Sequence, residues 1–107
     1  MAATIGQEQF EQEVLKSDKP VLVDFSASWC APCRALSPVV DQVAVEFEGR
    51  AKVLKVDVDA APGLAERYRV QSIPCVLFFA NGAEVSRLVG VASRGKLTTL
   101  LEAAGAV

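Results

Sequence analysis

Trp29-Cys30-Ala31-Pro32-Cys33 is the stretch on which the rest of this chain depends. The apolar, β-branched residues 21–25 come before it and predict a buried strand. After it, apolar residues recur at i, i+3, i+4 and i+7 over 36–47, which predicts one face of a helix. The two thiols therefore stand where a strand gives way to a helix, and this arrangement is typical of thiol–disulfide chemistry.

The composition excludes several classes of protein. The 107 residues suffice for one domain, expected to span 1–107. Eleven basic and thirteen acidic residues give a net charge of −2, which offers no basic surface for nucleic acid or an anionic membrane. No apolar run approaches the roughly 18 residues of a membrane helix. Because histidine is absent, Cys–His proteases and most zinc enzymes are excluded.

The first residues carry neither the basic nor the apolar part of a secretory signal, so we expect a cytoplasmic protein. Structural disulfides are rare in that compartment. A close cysteine pair there is expected to be catalytic, sensing or metal-bound. A structural metal site needs four ligands, which three cysteines without histidine do not easily supply, so no metal is expected.

The other elements are predicted by the spacing of apolar residues. In chain order they are a helix at 7–16, a strand at 51–58, a brief helix at 62–68, strands at 75–79 and 84–89, and a last helix capped by Ser93. Asn81-Gly82 predicts a tight hairpin. Pro38 is expected to bend the long helix near Arg34 or Ala35. We therefore expect an α/β fold with a mixed sheet of four to five strands and helices on both faces.

The two thiols are expected to differ. Cys30 lies near a helix N-terminus, where the helix dipole favours a thiolate by up to about 2 kcal/mol. Cys33 lies one turn inside the helix and is expected to be the more buried thiol. It is placed to attack a mixed disulfide on Cys30, in a step that is fast because it is intramolecular.

The chain resembles the thioredoxin family. The resemblance rests on the 29–33 motif after the strand at 21–25, on Ile73-Pro74 before the third core strand, and on Gly82 and Gly90. It covers the whole chain with its elements in the same order. It implies the thioredoxin fold and a dithiol reductase of protein disulfides. No bound cofactor is implied, since the family receives electrons from NADPH through a thioredoxin reductase, and we expect a monomer.

The resemblance also implies roles for individual residues. Cys30 corresponds to the exposed attacking thiol and Cys33 to the resolving thiol. Pro74 matches a proline that is cis in the family and lies opposite the dithiol. The substrate-binding surface implied by the family comprises Trp29, Ala31, Pro32, Ile73, Pro74 and Gly90.

Asp24 and Lys55 each have two interpretations. The pattern alone favours a solvent-facing position at the edge of a sheet for Asp24, whereas the resemblance implies a buried proton acceptor behind Cys33. Burial would raise the pKa of this carboxyl and suit it to act as a general base near neutral pH. Lys55 is either an ordinary exposed strand lysine or the lysine that the family places near this aspartate.

Three residues depart from the family pattern. Ala31 replaces the usual glycine between the cysteines, which is expected to alter the reduction potential or the choice of partner. Ser26 stands where many members have an aromatic residue, so lighter packing is expected behind the site. Cys75 follows Pro74 where threonine is usual, and is either a small buried side chain or a third, regulatory thiol.

Three other functions stay open at this point. The first is a binding module or processivity-type subunit in which the dithiol is dispensable. The second is an oxidant or isomerase, which the missing signal sequence disfavours. The third is a metal or cluster site shared between two chains.

Overall fold

A five-stranded mixed sheet forms the centre of the protein in a computed structural model, which describes residues 2–106. The elements in chain order are β1 (Ala3–Thr4), α1 (Gln7–Phe10), a π-helical segment (Glu11–Leu15), β2 (Val21–Ser26), α2 (Ala31–Glu46), β3 (Lys52–Asp57), α3 (Pro62–Arg67), β4 (Cys75–Ala80), β5 (Ala83–Val89) and α4 (Arg94–Ala103). The predicted α/β fold with a mixed sheet is confirmed.

β2 is the central strand of the sheet, whose order is β1-β3-β2-β4-β5. It pairs in parallel with β3 and antiparallel with β4. Its side chains alternate between two apolar cores: Val21 and Val23 pack with α1 and α3, whereas Leu22 packs with α2 and α4. Both faces of β2 are therefore covered. This buried strand ends at Ser26, shortly before the cysteine pair.

β1 is the element that the sequence pattern did not predict. It consists of Ala3 and Thr4, which pair with Leu54 and Lys55 of β3. Two residues are too few to show an alternating pattern, so this strand exists only through its pairing with a distant part of the chain.

α2 is continuous from Ala31 to Glu46 although Pro38 lies inside it. The bend expected near Arg34 or Ala35 therefore does not divide the helix into a reactive turn and a packing segment. Pro38 lies in the second turn, where it removes one hydrogen bond to the Arg34 carbonyl, and the packed face of the helix compensates for that loss.

The predicted hairpin and the predicted helix cap are both present. Asn81 and Gly82 have φ values of 53° and 80°, as a tight turn with two left-handed residues requires, and β4 and β5 pair antiparallel. The Ser93 hydroxyl accepts a hydrogen bond from the Lys96 backbone N–H over 3.2 Å and begins α4. Among the helices in residues 2–106, none is long and apolar enough to cross a membrane.

Candidate active site

Cys30 and Cys33 are joined by a disulfide at the junction of β2 and α2. Their Cα atoms are 5.3 Å apart. Cys30 is the N-cap residue of α2, with an extended backbone, and its Sγ accepts a hydrogen bond from the Cys33 backbone N–H over 3.3 Å. Pro32 lies in the first helical turn, where its missing N–H would have had no partner. The sulfur of Cys30 therefore caps the N-terminus of α2.

Both cysteines are shielded from solvent in the disulfide form. Cys30 is 5% exposed and Cys33 is 3% exposed. Cys33 is the more buried of the two cysteines, as expected, but the expectation of an exposed Cys30 is wrong. The reason is packing: Ala27, Val58 and Ile73 enclose the pair, and Cys30 Sγ lies 3.9 Å from the Ile73 carbonyl oxygen.

Pro74 follows Ile73, the residue whose carbonyl oxygen lies 3.9 Å from Cys30 Sγ. The Ile73–Pro74 peptide bond is cis. The Pro74 carbonyl accepts a hydrogen bond from the Gly90 backbone N–H over 2.8 Å, which ties the loop before β4 to the end of β5. Gly90 has a φ of +95°, and no described atom lies within 4 Å of the point where a Cβ would be. The space beside Gly90 is therefore open to an approaching chain.

Trp29 lies on the surface beside the disulfide. Its side chain is 67% exposed, and its indole Nε1 donates a hydrogen bond to Asp59 Oδ2 over 2.7 Å. Ala31 and Pro32 are also exposed. The structure thus brings together at one surface five residues that the sequence analysis named: Trp29, Ala31, Pro32, Ile73 and Gly90.

Asp24 is buried in the middle of β2, with 1% exposure. The interpretation that its pattern favoured, a solvent-facing edge position, is wrong because β2 lies between β3 and β4 and is covered on both faces. Its Oδ1 atom has no hydrogen-bond partner within residues 2–106. Burial raises the pKa of Asp24 from an ordinary 3.8 to about 6, although the nearby Lys55 charge opposes the rise.

Lys55 occupies the β3 position that pairs with Asp24. Its side chain is only 15% exposed, so the interpretation as an ordinary exposed lysine is wrong. Its ammonium group contacts two residues of α2: Nζ donates to Ser37 Oγ over 2.7 Å and lies 3.0 Å from Asp41 Oδ1. Ser37 and Asp41 were missed by the sequence analysis. The available signal was their spacing, because Cys33, Ser37 and Asp41 recur every four residues along one helix face.

A cavity of about 220 Å³ lies behind the disulfide. It is lined by Thr4, Ser26, Ala27, Ser28, Cys33, Arg34, Ser37, Lys55 and Asp57. Ser26, a half-buried residue at the end of β2, is one of these residues. The cavity agrees with the lighter packing expected from a serine at this position.

Cys75 is a free thiol, 1% exposed, at the start of β4. It packs with Phe25, Leu77 and Phe79 in the core between the sheet, α1 and α3, whereas the dithiol belongs to a separate small cluster. Burial raises the pKa of the Cys75 thiol, and the Arg87 charge opposes that rise. These facts favour the interpretation as a small buried side chain.

The residues that the structure describes, 2–106, include no group of three or more His, Cys, Asp or Glu side chains that could hold a metal ion. The chemistry that this site supports is thiol–disulfide exchange. The Cα separation of 5.3 Å lies within the range that a disulfide accepts, so the pair can hold the oxidised form of a dithiol–disulfide couple.

Comparison with known proteins agrees with this chemistry. The family model described as Thioredoxin matches residues 1–103. Thioredoxin 1 of a Nostoc species is 46% identical over 101 residues, which are 94% of each chain. Thioredoxin of Rickettsia bellii is 43% identical over 91% of this chain and 92% of its own. Thioredoxin M-type, chloroplastic, of Spinacia oleracea is 41% identical over 92% of this chain and 54% of its own.

Proposed function

Because this chain belongs to the thioredoxin family, we propose that it reduces protein disulfides, with Cys30 as the attacking thiol and Cys33 as the resolving thiol. Thiol–disulfide oxidoreductase activity is common to the family, and the chain carries the redox-active pair. The observation that carries the assignment of roles is the hydrogen bond from the Cys33 N–H to Cys30 Sγ. It places the first sulfur at the positive end of α2 and the second sulfur one turn inside.

The first step is the attack of the Cys30 thiolate on one sulfur of the substrate disulfide. A new bond forms from Cys30 Sγ to that sulfur, and the other substrate sulfur leaves as a thiolate. The Cys33 N–H and the dipole of the 16-residue α2 both stabilise negative charge on Cys30. Both interactions favour the nucleophilic thiolate of Cys30 over its thiol.

The second step is the attack of Cys33 on Cys30 Sγ. The Cys30–Cys33 bond forms, the reduced substrate leaves as a second thiolate, and two electrons have passed from the dithiol to the substrate. Only two residues separate the cysteines, so this step is intramolecular and fast. The leaving thiolates take up protons from water or from a nearby acid.

Asp24 is the proposed proton acceptor for Cys33. Its carboxyl is buried, and its pKa of about 6 allows it to bind and release a proton near neutral pH. It lies on the face of β2 that is packed against α2, the helix that carries Cys33. Lys55, its strand neighbour, is proposed to adjust the charge felt by this carboxyl.

The substrate chain is proposed to bind across the surface around Trp29, Ile73, Pro74 and Gly90. The open space beside Gly90 and the exposed indole of Trp29 support this placement. A substrate strand there could add to the backbone beside Pro74. Ala31 and Pro32, which are exposed between the cysteines, complete the surface.

The oxidised protein is proposed to be recharged by NADPH through a thioredoxin reductase, as in the family that it belongs to. Its partners are then that reductase and proteins with accessible disulfides, and it acts as a monomer without nucleic acid. A cytoplasmic location suits the proposal because a dithiol reductant needs a reducing compartment.

The experiment is reduction of insulin disulfides with NADPH and a thioredoxin reductase, comparing the parent chain with Cys30→Ser and Cys33→Ser. Both variants are expected to lose turnover. Cys33→Ser is expected to accumulate a mixed disulfide with the substrate, because the first step still proceeds, whereas Cys30→Ser is not. A mixed disulfide trapped on Cys33 in the Cys30→Ser variant would reverse the assigned roles. A partner complex that keeps its activity when both cysteines are replaced by serine would instead favour a binding module.

A further inference from the structure

Asp24 and Lys55 occupy paired positions on β2 and β3, yet their charged groups have different surroundings. Paired residues on neighbouring parallel strands point to the same face of the sheet, so Lys55 is the nearest cation available to the buried carboxyl. Within residues 2–106, however, the ion pair of Lys55 is made with Asp41, and its hydrogen bond is made with Ser37. Asp24 Oδ1 is left without a partner.

α2 supplies both groups that contact the lysine. Ser37 and Asp41 lie four and eight residues after Cys33, on the helix face packed against the sheet. Asp41 is itself held in place, because its Oδ1 accepts a hydrogen bond from the Ala2 backbone N–H over 3.1 Å. Burial opposes ionisation of Asp41, but the hydrogen bonds from Ala2 and Lys55 lower its pKa below the ordinary value. Asp41 is therefore a fixed anion.

Few charged or titratable groups face Asp24. The charges that act on Asp24 are those of Lys55 on β3 and of Asp41 on α2, the helix that also carries Cys33. On β4 the paired residue is Val76, and next to it lies Cys75, whose thiol pKa is raised in part by the Asp24 charge. α4 contributes the apolar Leu97 and Leu101 to the same core. Burial is the largest influence on the pKa of Asp24, and the Lys55 charge is the largest influence that opposes it, so the position of the ammonium adjusts how readily Asp24 ionises.

We propose that Asp41, with Ser37, is a positioning residue that holds the Lys55 ammonium on the α2 side of the core and away from Asp24. Asp41 and Ser37 keep Lys55 from forming a salt bridge with Asp24, so the Asp24 carboxyl can still take up a proton near neutral pH. Without the Asp41 charge, the ammonium turns to Asp24 as its remaining anion, and Asp24 stays ionised to lower pH. The importance of this for turnover rests on the role proposed above for Asp24.

The experiment follows the Asp24 carboxyl carbon by NMR through a pH titration of the reduced, full-length protein. Asp41→Asn is expected to lower the midpoint of the Asp24 titration by about one pH unit. Ser37→Ala, the milder variant, is expected to lower it by less and to keep the protein folded if Asp41→Asn does not. Glu46→Gln removes the same charge from the far end of α2 and is expected to leave the midpoint unchanged.

A double-mutant cycle separates positioning from simple charge. In a Lys55→Met background the Asp41→Asn change is expected to move the midpoint much less than in the parent, because the lysine that it would release is gone. An equal shift in both backgrounds, or no shift in the parent, overturns the proposal. Equal shifts would mean that Asp41 acts on Asp24 through its own charge alone.

The rate of disulfide reduction against pH gives a second readout. The acidic limb of the profile is expected to move with the Asp24 midpoint in Asp41→Asn. If the midpoint moves only when Lys55 is present and the limb does not move, the positioning role stands and the role of Asp24 as proton acceptor fails. If neither the midpoint nor the limb moves, the positioning proposal fails while a separate Asp24→Asn variant still tests the proton acceptor.

Discussion

Trp29 and Asp59 are 30 residues apart in the chain and are joined by a hydrogen bond of 2.7 Å from the indole Nε1 to Oδ2. The indole is 67% exposed, so core packing does not hold it in place. This hydrogen bond fixes the orientation of the large ring beside the disulfide.

Replacement of Asp59 by alanine is expected to free the indole. Because Trp29 is the only tryptophan, its fluorescence reports on this ring alone. We expect lower fluorescence anisotropy and a loss of stability of no more than about 1 kcal/mol, since the bond is exposed. Asp59→Asn keeps an acceptor oxygen and serves as the control. Equal anisotropy in the parent and Asp59→Ala would mean that something else orients the ring.

Asp24→Asn is expected to stabilise the protein at high pH. The pKa of Asp24 is raised to about 6 in the folded state, so between the ordinary 3.8 and 6 the folded chain keeps a proton that the unfolded chain releases. Stability is therefore lost as the pH rises through this window, and above it the burial of the carboxylate costs about 3 kcal/mol. Guanidinium unfolding at pH 8 should show most of this amount as a gain in the variant. At pH 4 the gain should nearly vanish, and a gain independent of pH would contradict the assignment.

Cys75 is expected to stay unreactive in the folded protein, because its thiol is buried and its raised pKa keeps it protonated. Alkylation of the reduced protein at neutral pH should label Cys30 rapidly and Cys75 only in denaturant. Cys75→Val, which is larger by about one methyl group, should keep reductase activity, whereas Cys75→Ala should lose about 1–2 kcal/mol of stability through the space it leaves. Mass spectrometry of oxidised protein that found Cys75 in a disulfide would support a regulatory thiol instead.

Ser26→Phe is expected to fill part of the cavity of about 220 Å³ behind the disulfide. Filling such a space commonly raises stability by about 0.5–2 kcal/mol. The melting temperature of the oxidised protein should rise by several degrees. Thr99→Phe, at an exposed position on α4, is the control and should give no such rise. A fall in melting temperature would mean that the cavity does not accept an aromatic ring.

Gly82→Ala is expected to destabilise the fold for two reasons. The residue has a φ of +80°, and a Cβ there would lie 2.8 Å from the Leu15 carbonyl oxygen. Gly90→Ala is a matched control, since Gly90 has a φ of +95° but open space around it. Backbone strain alone should cost about 1–2 kcal/mol in the control, and the clash should add to this at position 82. Equal losses of stability in the two variants, measured by urea unfolding, would show that the hairpin moves away from Leu15 at little cost.

Local patterns predicted most of the elements, because β2, α2 and the Asn81-Gly82 turn each carry their signal in adjacent residues. What the patterns could not predict depends on pairing between distant segments. The burial of Asp24 follows from the place of β2 between β3 and β4. The contact of Lys55 with Asp41 further requires the register of β3 and the rotation of α2 over it. The shielding of Cys30 likewise depends on Ile73, which comes from a loop 43 residues away.

One atom, Cys30 Sγ, serves both as the cap of α2 and as part of the redox pair. Substitutions at this position therefore differ in more than reactivity. A serine oxygen can take over the bond to the Cys33 amide, whereas an alanine leaves the first turn prone to fraying. Inactivity of an alanine variant would mix lost nucleophilicity with a loosened helix start, and only the serine variant isolates the sulfur chemistry.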